Sequence, residues 1–179
     1  MKPKRDPRPL VLIIMGSESD MGVMIEAARI LRSAGVSYEM KILSAHRTPE
    51  LLFAQLKKSE SLGVQIIIAG AGMAAHLAGS VAARTVLPVI GVPTGGGALG
   101  GVDSFLSTVQ MPRGIPVATT AVGKSGAVNA GLLAIEILAL SRPELRKTLL
   151  EMRRENASAI LEKNARLTRL GPEEFLKSL

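Results

Sequence analysis

The feature that most constrains this chain is a repeated alternation between short apolar runs and longer segments with helical spacing. Continuous apolar runs of this length are typical of strands buried on both faces of a parallel sheet. The predicted strands are 10–15, 38–43, 64–68, 88–92 and 116–120. The predicted helices are 20–34, 48–62, 74–84, 103–109, 125–140 and 143–163. Two parallel strands joined by a helix connect in a right-handed sense. We therefore expect an α/β fold with a doubly wound parallel sheet covered by helices.

The size and composition of the chain suit one domain with a substantial core. It has 179 residues, of which 47% are apolar. We predict a single α/β catalytic domain over 9–165, with a basic N-terminal tail at 1–8 and a C-terminal tail at 166–179. The absence of cysteine excludes disulfides, thiolate metal sites and cysteine nucleophiles. With only two histidines, a zinc site built by the protein is not expected either.

The net charge of +7 lies mostly at the two ends of the chain. Residues 1–8 and 142–179 each carry +3, whereas 9–141 carry only +1. A nucleic-acid-binding protein needs clustered charge on a structured element, or aromatic side chains for stacking, and aromatics make up only 2% of this chain. We therefore expect no nucleic-acid partner, although a mildly basic surface attracts anionic metabolites.

The apolar runs are too short for a membrane protein. The longest, 126–140, contains Asn129 and Glu136 and falls short of a membrane span. The run at 10–15 is too short for the apolar part of a signal peptide. We expect a cytoplasmic protein with no membrane partner.

The segment 83–139 contains only five charged residues. One interpretation is a central strand plus a buried helix. The other is an extensive subunit interface, because obligate interfaces resemble protein cores. We favour the interface, since a chain of this size has too little interior to bury the whole segment.

Five loops are expected at the carboxyl ends of the strands, where open α/β sheets bind ligands. They are 16–20, 44–49, 69–76, 93–98 and 121–125. These loops contain both histidines of the chain, and they are rich in Gly, Ser and Ala, which let the backbone approach a ligand closely. The sequence therefore predicts a ligand site at this edge.

Two of these loops carry polar groups suited to a sugar phosphate. The first loop precedes a helix N-terminus, where Ser17 and Ser19 can help to bind an anion, or where Asp20 simply caps the helix. The Asp20 carboxylate can also accept hydrogen bonds from ribose hydroxyls. In the second loop, Arg47 suits a phosphate. His46 beside it is either a surface residue of a polar turn or a group that moves a proton near neutral pH.

Two further motifs resemble nucleotide-binding loops without matching them. Residues 70–76 partly fit a dinucleotide fingerprint, but they follow the third strand and no acidic residue lies about 20 positions on. Residues 123–125 match the last three positions of the P-loop motif, but the first glycine of that motif would fall on Ala118, inside a predicted strand. The residues themselves thus indicate a protein that binds a phosphorylated, ribose-bearing metabolite, either as an enzyme or as a non-catalytic nucleotide-binding module.

Several further motifs follow one another along the chain, namely GSESD, SAHRTP, AGAGMAAHLAG, GVDS, VQMPRGIPV and GKSGAVNA. Together they resemble the N5-carboxyaminoimidazole ribonucleotide mutase family, whose members form the catalytic subunit of phosphoribosylaminoimidazole carboxylase in purine biosynthesis, and the resemblance spans residues 9–165. It implies a flavodoxin-like three-layer α/β/α sandwich with a parallel sheet and a protruding C-terminal helix. It also implies a homo-octamer, and no cofactor: neither metal, nucleotide nor biotin.

The resemblance also implies roles for individual residues. His46 takes the place of the family's proton-transferring histidine. Ribonucleotide-binding positions fall on Ser17, Ser19, Asp20, Ser44 and Arg47, while Ala71 and Gly72 face the imidazole and carboxylate and His76 supports the pocket. The implied reaction moves a carboxyl group from the exocyclic nitrogen to C4 of aminoimidazole ribonucleotide, and direct carboxylation with CO2 is the alternative. The glycine-rich stretch 94–101 departs from the polar segment expected there.

Overall fold

The computed structural model describes residues 8–179, so the predicted basic tail lies outside the described residues except for Arg8. Within that range the backbone forms two compact units. The first ends at Leu138 and contains the sheet, and the second is the helical segment Ala139–Leu179. The predicted division into one domain over 9–165 with two tails stays a prediction.

The first unit is built on a five-stranded, all-parallel sheet with the strand order β2-β1-β3-β4-β5. The strands are β1 (Val11–Met15), β2 (Tyr38–Ile42), β3 (Ile66–Ala71), β4 (Val89–Pro93) and β5 (Ala118–Thr119). This order is that of flavodoxin-like folds, whose ligands bind where the direction of winding changes, between β1 and β3. The predicted parallel α/β fold is confirmed.

Helices and strands follow one another in the predicted order. A short 3₁₀ turn, Glu18–Asp20, leads into α1 (Met21–Ser33). The others are α2 (Pro49–Ser61), α3 (Leu77–Ala82), α4 (Val102–Val109) and α5 (Lys124–Ala139), and the first unit ends one residue before the end of α5. The third strand extends further than predicted, because Gly70 pairs with both neighbouring strands. The third helix is shorter than predicted, because Met73 adopts a positive φ of 52° and the chain turns before Leu77.

The helices cover both faces of the sheet, which makes the three layers of the sandwich. On one face, Leu12 and Ile14 of β1 join a buried cluster with Leu52 of α2 and Val81 of α3. On the other face α1 packs so closely that a Cβ atom at Gly70 would overlap the Met24 side chain. The central strands are apolar and buried on both sides, as the continuous apolar runs predicted.

The charge-poor segment 83–139 divides between the two interpretations considered for it. Helix α5 belongs to the interior of the unit, since Ala127, Ala130 and Ala134 are fully buried. Its Gly131 lies where a Cβ atom would be 3.0 Å from the Cβ of Ile30 in α1. Helix α4 instead leaves apolar side chains exposed, as described below. The buried-helix interpretation therefore accounts for α5 but not for α4.

The second unit is helical throughout most of its length. It contains α6 (Pro143–Leu170) and α7 (Pro172–Lys177). The α6 helix begins with proline in its first turn and ends before Gly171, whose φ of 73° favours glycine. Residues 166–170 therefore continue the charged helix that we predicted only as far as 163. None of the helices in residues 8–179 is long and apolar enough to cross a membrane.

Candidate active site

A cavity of about 660 Å³ lies at the carboxyl ends of the first four strands. Its wall comes from the loops that follow β1, β2, β3 and β4. The lining residues are Gly16, Ser17, Ser19, Asp20, Ser44, Ala45, His46, Arg47, Ala71, Gly72, Met73, Ala74, His76, Leu77, Thr94, Gly95, Gly96 and Gly97. The structure thus brings all nine predicted site residues together in one cavity.

The first loop folds around its own polar side chains. Ser17 Oγ accepts a hydrogen bond from the Ser19 backbone N–H at 3.4 Å, and Asp20 Oδ2 accepts one from the Ser17 N–H at 3.1 Å. Asp20 occupies the predicted N-cap position of α1, but its carboxylate makes no capping hydrogen bond to that helix. The expected capping role instead serves the 3₁₀ turn that leads into α1, where the side chains of Ser17 and Asp20 form a capping box.

The second loop is tied to the first by Arg47. Its Nη2 donates to the Gly16 carbonyl oxygen at 2.7 Å, and its backbone N–H donates to Ser44 Oγ at 3.2 Å. Thr48 is the N-cap residue of α2, but its hydroxyl makes no capping hydrogen bond to that helix and instead donates to the Ser44 carbonyl and accepts from the Ser44 N–H. These contacts hold the guanidinium at the cavity wall, where a bound anion would meet its remaining N–H groups.

The two histidines of the chain are hydrogen-bonded to each other. His46 Nε2 lies 2.7 Å from His76 Nδ1, and the rings are nearly perpendicular, with an interplanar angle of 89°. One of these nitrogens must carry the proton and the other must accept it. The pair therefore shares a proton on the cavity wall, although the two residues are 30 positions apart in the chain.

The third and fourth loops meet in a close backbone contact. The Thr94 N–H donates to the Ala71 carbonyl oxygen at 3.0 Å. A Cβ atom at Gly72 would lie 2.6 Å from the Gly95 carbonyl oxygen, which is closer than a real side chain tolerates. The fourth loop then continues through Gly96 and Gly97, whose φ angles of 93° and 75° favour glycine. The unusual glycine content of this stretch thus has a structural reason.

The fifth predicted loop does not line the cavity. Gly123 donates its N–H to the Pro93 carbonyl oxygen at 2.8 Å, and the Val122 side chain lies against Gly95 and Gly101. The prediction that five loops meet at the cavity is therefore wrong for 121–125. The reason is the strand order: β5 lies at the edge of the sheet, beyond β4, whereas the direction of winding changes between β1 and β3.

Sequence reasoning missed Thr94 as an individual site residue. Its Oγ1 donates to Asp20 Oδ1 at 2.7 Å in a buried hydrogen bond that joins the fourth loop to the first. The one available hint was its position directly after β4, at the ligand-binding edge. Met73, the non-glycine residue with positive φ among 8–179, also lines the cavity and was not singled out. Within the same residues, no group of three or more His, Asp or Glu side chains is placed to hold a metal ion.

Comparison with known proteins places these features in a family. A protein-family model described as AIR carboxylase matches residues 10–159, which is most of the chain. The chain belongs to the AIR carboxylase family. The four loops that line the cavity all lie within the matched segment.

Relatives within the AIR carboxylase family match over nearly their whole length. The N5-carboxyaminoimidazole ribonucleotide mutase of Pyrococcus horikoshii is 53% identical over 172 residues, covering 96% of both chains. The mutase of the same name from Bacillus subtilis is 52% identical, covering 89% of this chain and 99% of the relative. A crystal structure of Treponema denticola PurE superposes with a TM-score of 0.81 at 34% identity, covering 89% of this chain and 99% of the other.

The contact between Gly72 and Gly95 generates a prediction about stability. We expect Gly72→Ala to lower the free energy of unfolding by about 1–3 kcal/mol, because the added methyl group forces two backbone segments apart. Urea denaturation monitored by circular dichroism measures this change. The matched control is Gly22→Ala, since a Cβ atom at Gly22 meets nothing within 4 Å. Equal urea midpoints for the two variants would contradict the proposed crowding.

Proposed function

We propose that this chain is a mutase that moves a carboxyl group from the exocyclic nitrogen of N5-carboxyaminoimidazole ribonucleotide to C4 of the imidazole ring, in purine biosynthesis. The observation that carries the proposal is the high identity, over nearly the full length, to relatives that bear this mutase name. The cavity supports it independently, because a histidine pair, an arginine and a carboxylate share its wall.

The proposed binding mode places the charged part of the ribonucleotide against the first two loops. The phosphate would be held by the Arg47 guanidinium and by the hydroxyls of Ser17, Ser19 and Ser44, all of which line the cavity. The ribose hydroxyls would donate to the Asp20 carboxylate. These assignments are supported by chemical complementarity and by the nearness of Arg47 to the first loop.

The proposed mechanism uses His46 twice. Proton delivery to the exocyclic nitrogen accompanies cleavage of its bond to the carboxyl carbon and releases CO2. The C4 carbon then attacks that CO2 and forms the new carbon–carbon bond. A base removes the hydrogen from C4, which restores the aromatic ring. Because one proton is given and one is recovered, the histidine returns to its starting state, and the hydrogen bond to His76 provides a second nitrogen for that proton.

Retention of CO2 between the two steps is the second requirement of this reaction. The third loop presents Ala71 and Gly72 to the cavity, with side chains too small to fill the space above the backbone. Small residues of this kind leave room for CO2, and backbone N–H groups can stabilise its carboxylate form. Proximity then favours recapture, since CO2 that escapes has to be collected again from dilute solution.

Direct carboxylation of aminoimidazole ribonucleotide with CO2 is the second candidate function. A chloroplastic phosphoribosylaminoimidazole carboxylase of Vigna aconitifolia is 47% identical to this chain over 169 residues, although they represent only 30% of that protein. The two candidates share the C4 attack and differ in where the CO2 originates. The mutase is favoured because relatives with that name match along almost their full length.

A comparison of two substrates decides between these reactions. We expect the protein to convert N5-carboxyaminoimidazole ribonucleotide to the C4-carboxylated product. At the same substrate concentration, aminoimidazole ribonucleotide plus bicarbonate should form that product at least about 100-fold more slowly. Product absorbance in the ultraviolet measures both rates. Faster turnover with bicarbonate would establish the direct carboxylase instead, and the absence of turnover with either substrate would favour a non-catalytic nucleotide-binding module.

Substitution of His46 tests its proposed role in proton transfer. We expect His46→Asn to lower kcat by about 100-fold or more, a typical contribution of a general acid–base group. Binding of the C4-carboxylated product, measured by calorimetry, should change by less than about threefold. The matched variant Arg47→Met should show the opposite division, with a raised KM and a smaller effect on kcat. If His46→Asn retained turnover, another group would have to carry the proton.

We also propose that the enzyme is a homo-octamer that works in the cytoplasm on its small-molecule ribonucleotide. The proposed assembly is supported by exposed apolar side chains on α4, including Val102, Phe105, Leu106 and Val109. Contiguous exposed apolar patches of this kind mark association surfaces on soluble proteins. The resemblance described above implies the same assembly.

Analytical ultracentrifugation tests the proposed octamer. We expect a particle of about eight times the 18.8 kDa chain mass. Leu106→Glu should give smaller particles, because it places a charge in the apolar patch of α4. Leu51→Glu is the matched control, since Leu51 of α2 is also exposed. A monomeric wild-type protein would contradict the proposed assembly.

A further inference from the structure

The Asp20 carboxylate is fixed through both of its oxygen atoms. Oδ1 accepts a hydrogen bond from Thr94 Oγ1 at 2.7 Å, and Oδ2 accepts one from the Ser17 backbone N–H at 3.1 Å. Asp20 is only 8% exposed and Thr94 only 7% exposed, so water competes weakly for these contacts. The contact with Thr94 spans 74 positions of sequence and joins the loop after β1 to the loop after β4.

We propose that Thr94 is a positioning residue that holds the Asp20 carboxylate for the ribose and thereby sets the preference of this site for a vicinal diol. The inference rests on the proposed function, since it takes a ribonucleotide as the ligand. It goes beyond that function because Thr94 touches Asp20 and acts on the ligand through that side chain.

The hydrogen-bonding capacity of a carboxylate explains why two fixed partners leave the group usable. An ionised carboxylate has about two acceptor sites on each oxygen. Thr94 takes one site on Oδ1, and Ser17 takes one on Oδ2. One site remains on each oxygen, which matches two donors on neighbouring carbon atoms. The 2′- and 3′-hydroxyls of a ribose form such a pair.

Thr94 is itself held in place, so its hydroxyl oxygen has a fixed position from which to donate to Asp20. Its backbone N–H donates to the Ala71 carbonyl oxygen at 3.0 Å. Its branched side chain restricts rotation about χ1. A Cβ atom at Gly72 would lie 3.1 Å from Thr94 Oγ1, so the glycine leaves room for the hydroxyl. The position of the Asp20 carboxylate is therefore set by three loops.

Fixing the carboxylate before the ligand arrives strengthens binding. A side chain that already has its bound orientation loses little rotational freedom when the ligand binds. Removal of the Thr94 hydroxyl would leave Oδ1 without its buried donor. Asp20 would then rotate toward another donor or toward water, and its two free acceptor sites would no longer face the ribose together.

The test compares Thr94→Val with Thr94→Ser. Valine keeps the branched shape without the donor, and serine keeps the donor with less bulk. We expect Thr94→Val to weaken binding of the C4-carboxylated ribonucleotide about tenfold or more, as loss of a hydrogen bond to a charged group would. Its KM should rise more than its kcat falls. Thr94→Ser should restore binding to within about threefold of wild type.

A deoxyribose ligand separates positioning from a general structural role. The wild-type protein should bind the 2′-deoxyribose counterpart of the same ligand about tenfold more weakly than the ribose form, and Thr94→Val should reduce this preference to about twofold or less. Calorimetry measures all four affinities. An unchanged preference in Thr94→Val, or equal weakening for both ligands, would overturn the proposal. Thr94→Ala serves as the second donor-free variant if Thr94→Val does not fold.

A crystal structure of the Thr94→Val protein without ligand makes the test independent of the proposed function. We expect Asp20 to adopt a different side-chain conformation, or two conformations. Retention of the wild-type conformation would overturn the positioning role whatever the substrate is. If the wild-type protein failed to bind the carboxylated ribonucleotide while Asp20 moved in the variant, the positioning role would stand and the proposed function would fail.

Discussion

The cavity depends on the parallel pairing of β1, β3 and β4. These strands pair in register through fully buried residues, from Ile13 to Ile68 and from Ile68 to Ile90. Parallel strands bring their carboxyl ends to the same edge of the sheet. The register of the strands therefore fixes where each loop begins relative to its neighbours. A slip of one residue would turn every side chain of a strand to the opposite face, and at Gly70, which packs against Met24, there is no room for a larger side chain. Apolar side chains without any chemistry of their own therefore determine where the polar side chains of the site begin.

Contacts between loops, rather than contacts within them, then determine the geometry of the site. Arg47 of the second loop contacts the first loop, Thr94 of the fourth loop contacts Asp20, and His46 of the second loop contacts His76 at the end of the third. Each side chain is thus oriented by a partner from a different part of the sequence. A change in any one loop therefore alters groups in another. Where two loops approach most closely, as at Gly72 and Gly95, there is room only for a residue without a side chain.

The sequence predicts the strands, their parallel arrangement and the set of loops at the ligand edge, because these follow from periodicity and from the handedness of α/β connections. It does not predict Thr94, whose role arises only when the fold brings it to Asp20. A threonine after a strand has many ordinary uses, and nothing nearby in the chain marks its partner. The same limit applies to the loop at 121–125, which sequence order places with the others but strand order places outside the cavity.

The histidine pair connects this geometry to the proposed chemistry. With 2.7 Å between His46 Nε2 and His76 Nδ1, two N–H groups facing each other would collide, so only one of these nitrogens carries a proton at a time. The proposed reaction also uses a single proton, which leaves the histidine pair and later returns to it. Both rings are exposed to solvent in the cavity. A ribonucleotide bound through its phosphate and ribose would cover both rings. The binding energy of the phosphate and ribose would thereby be used to shield the shared proton and the released CO2 from water.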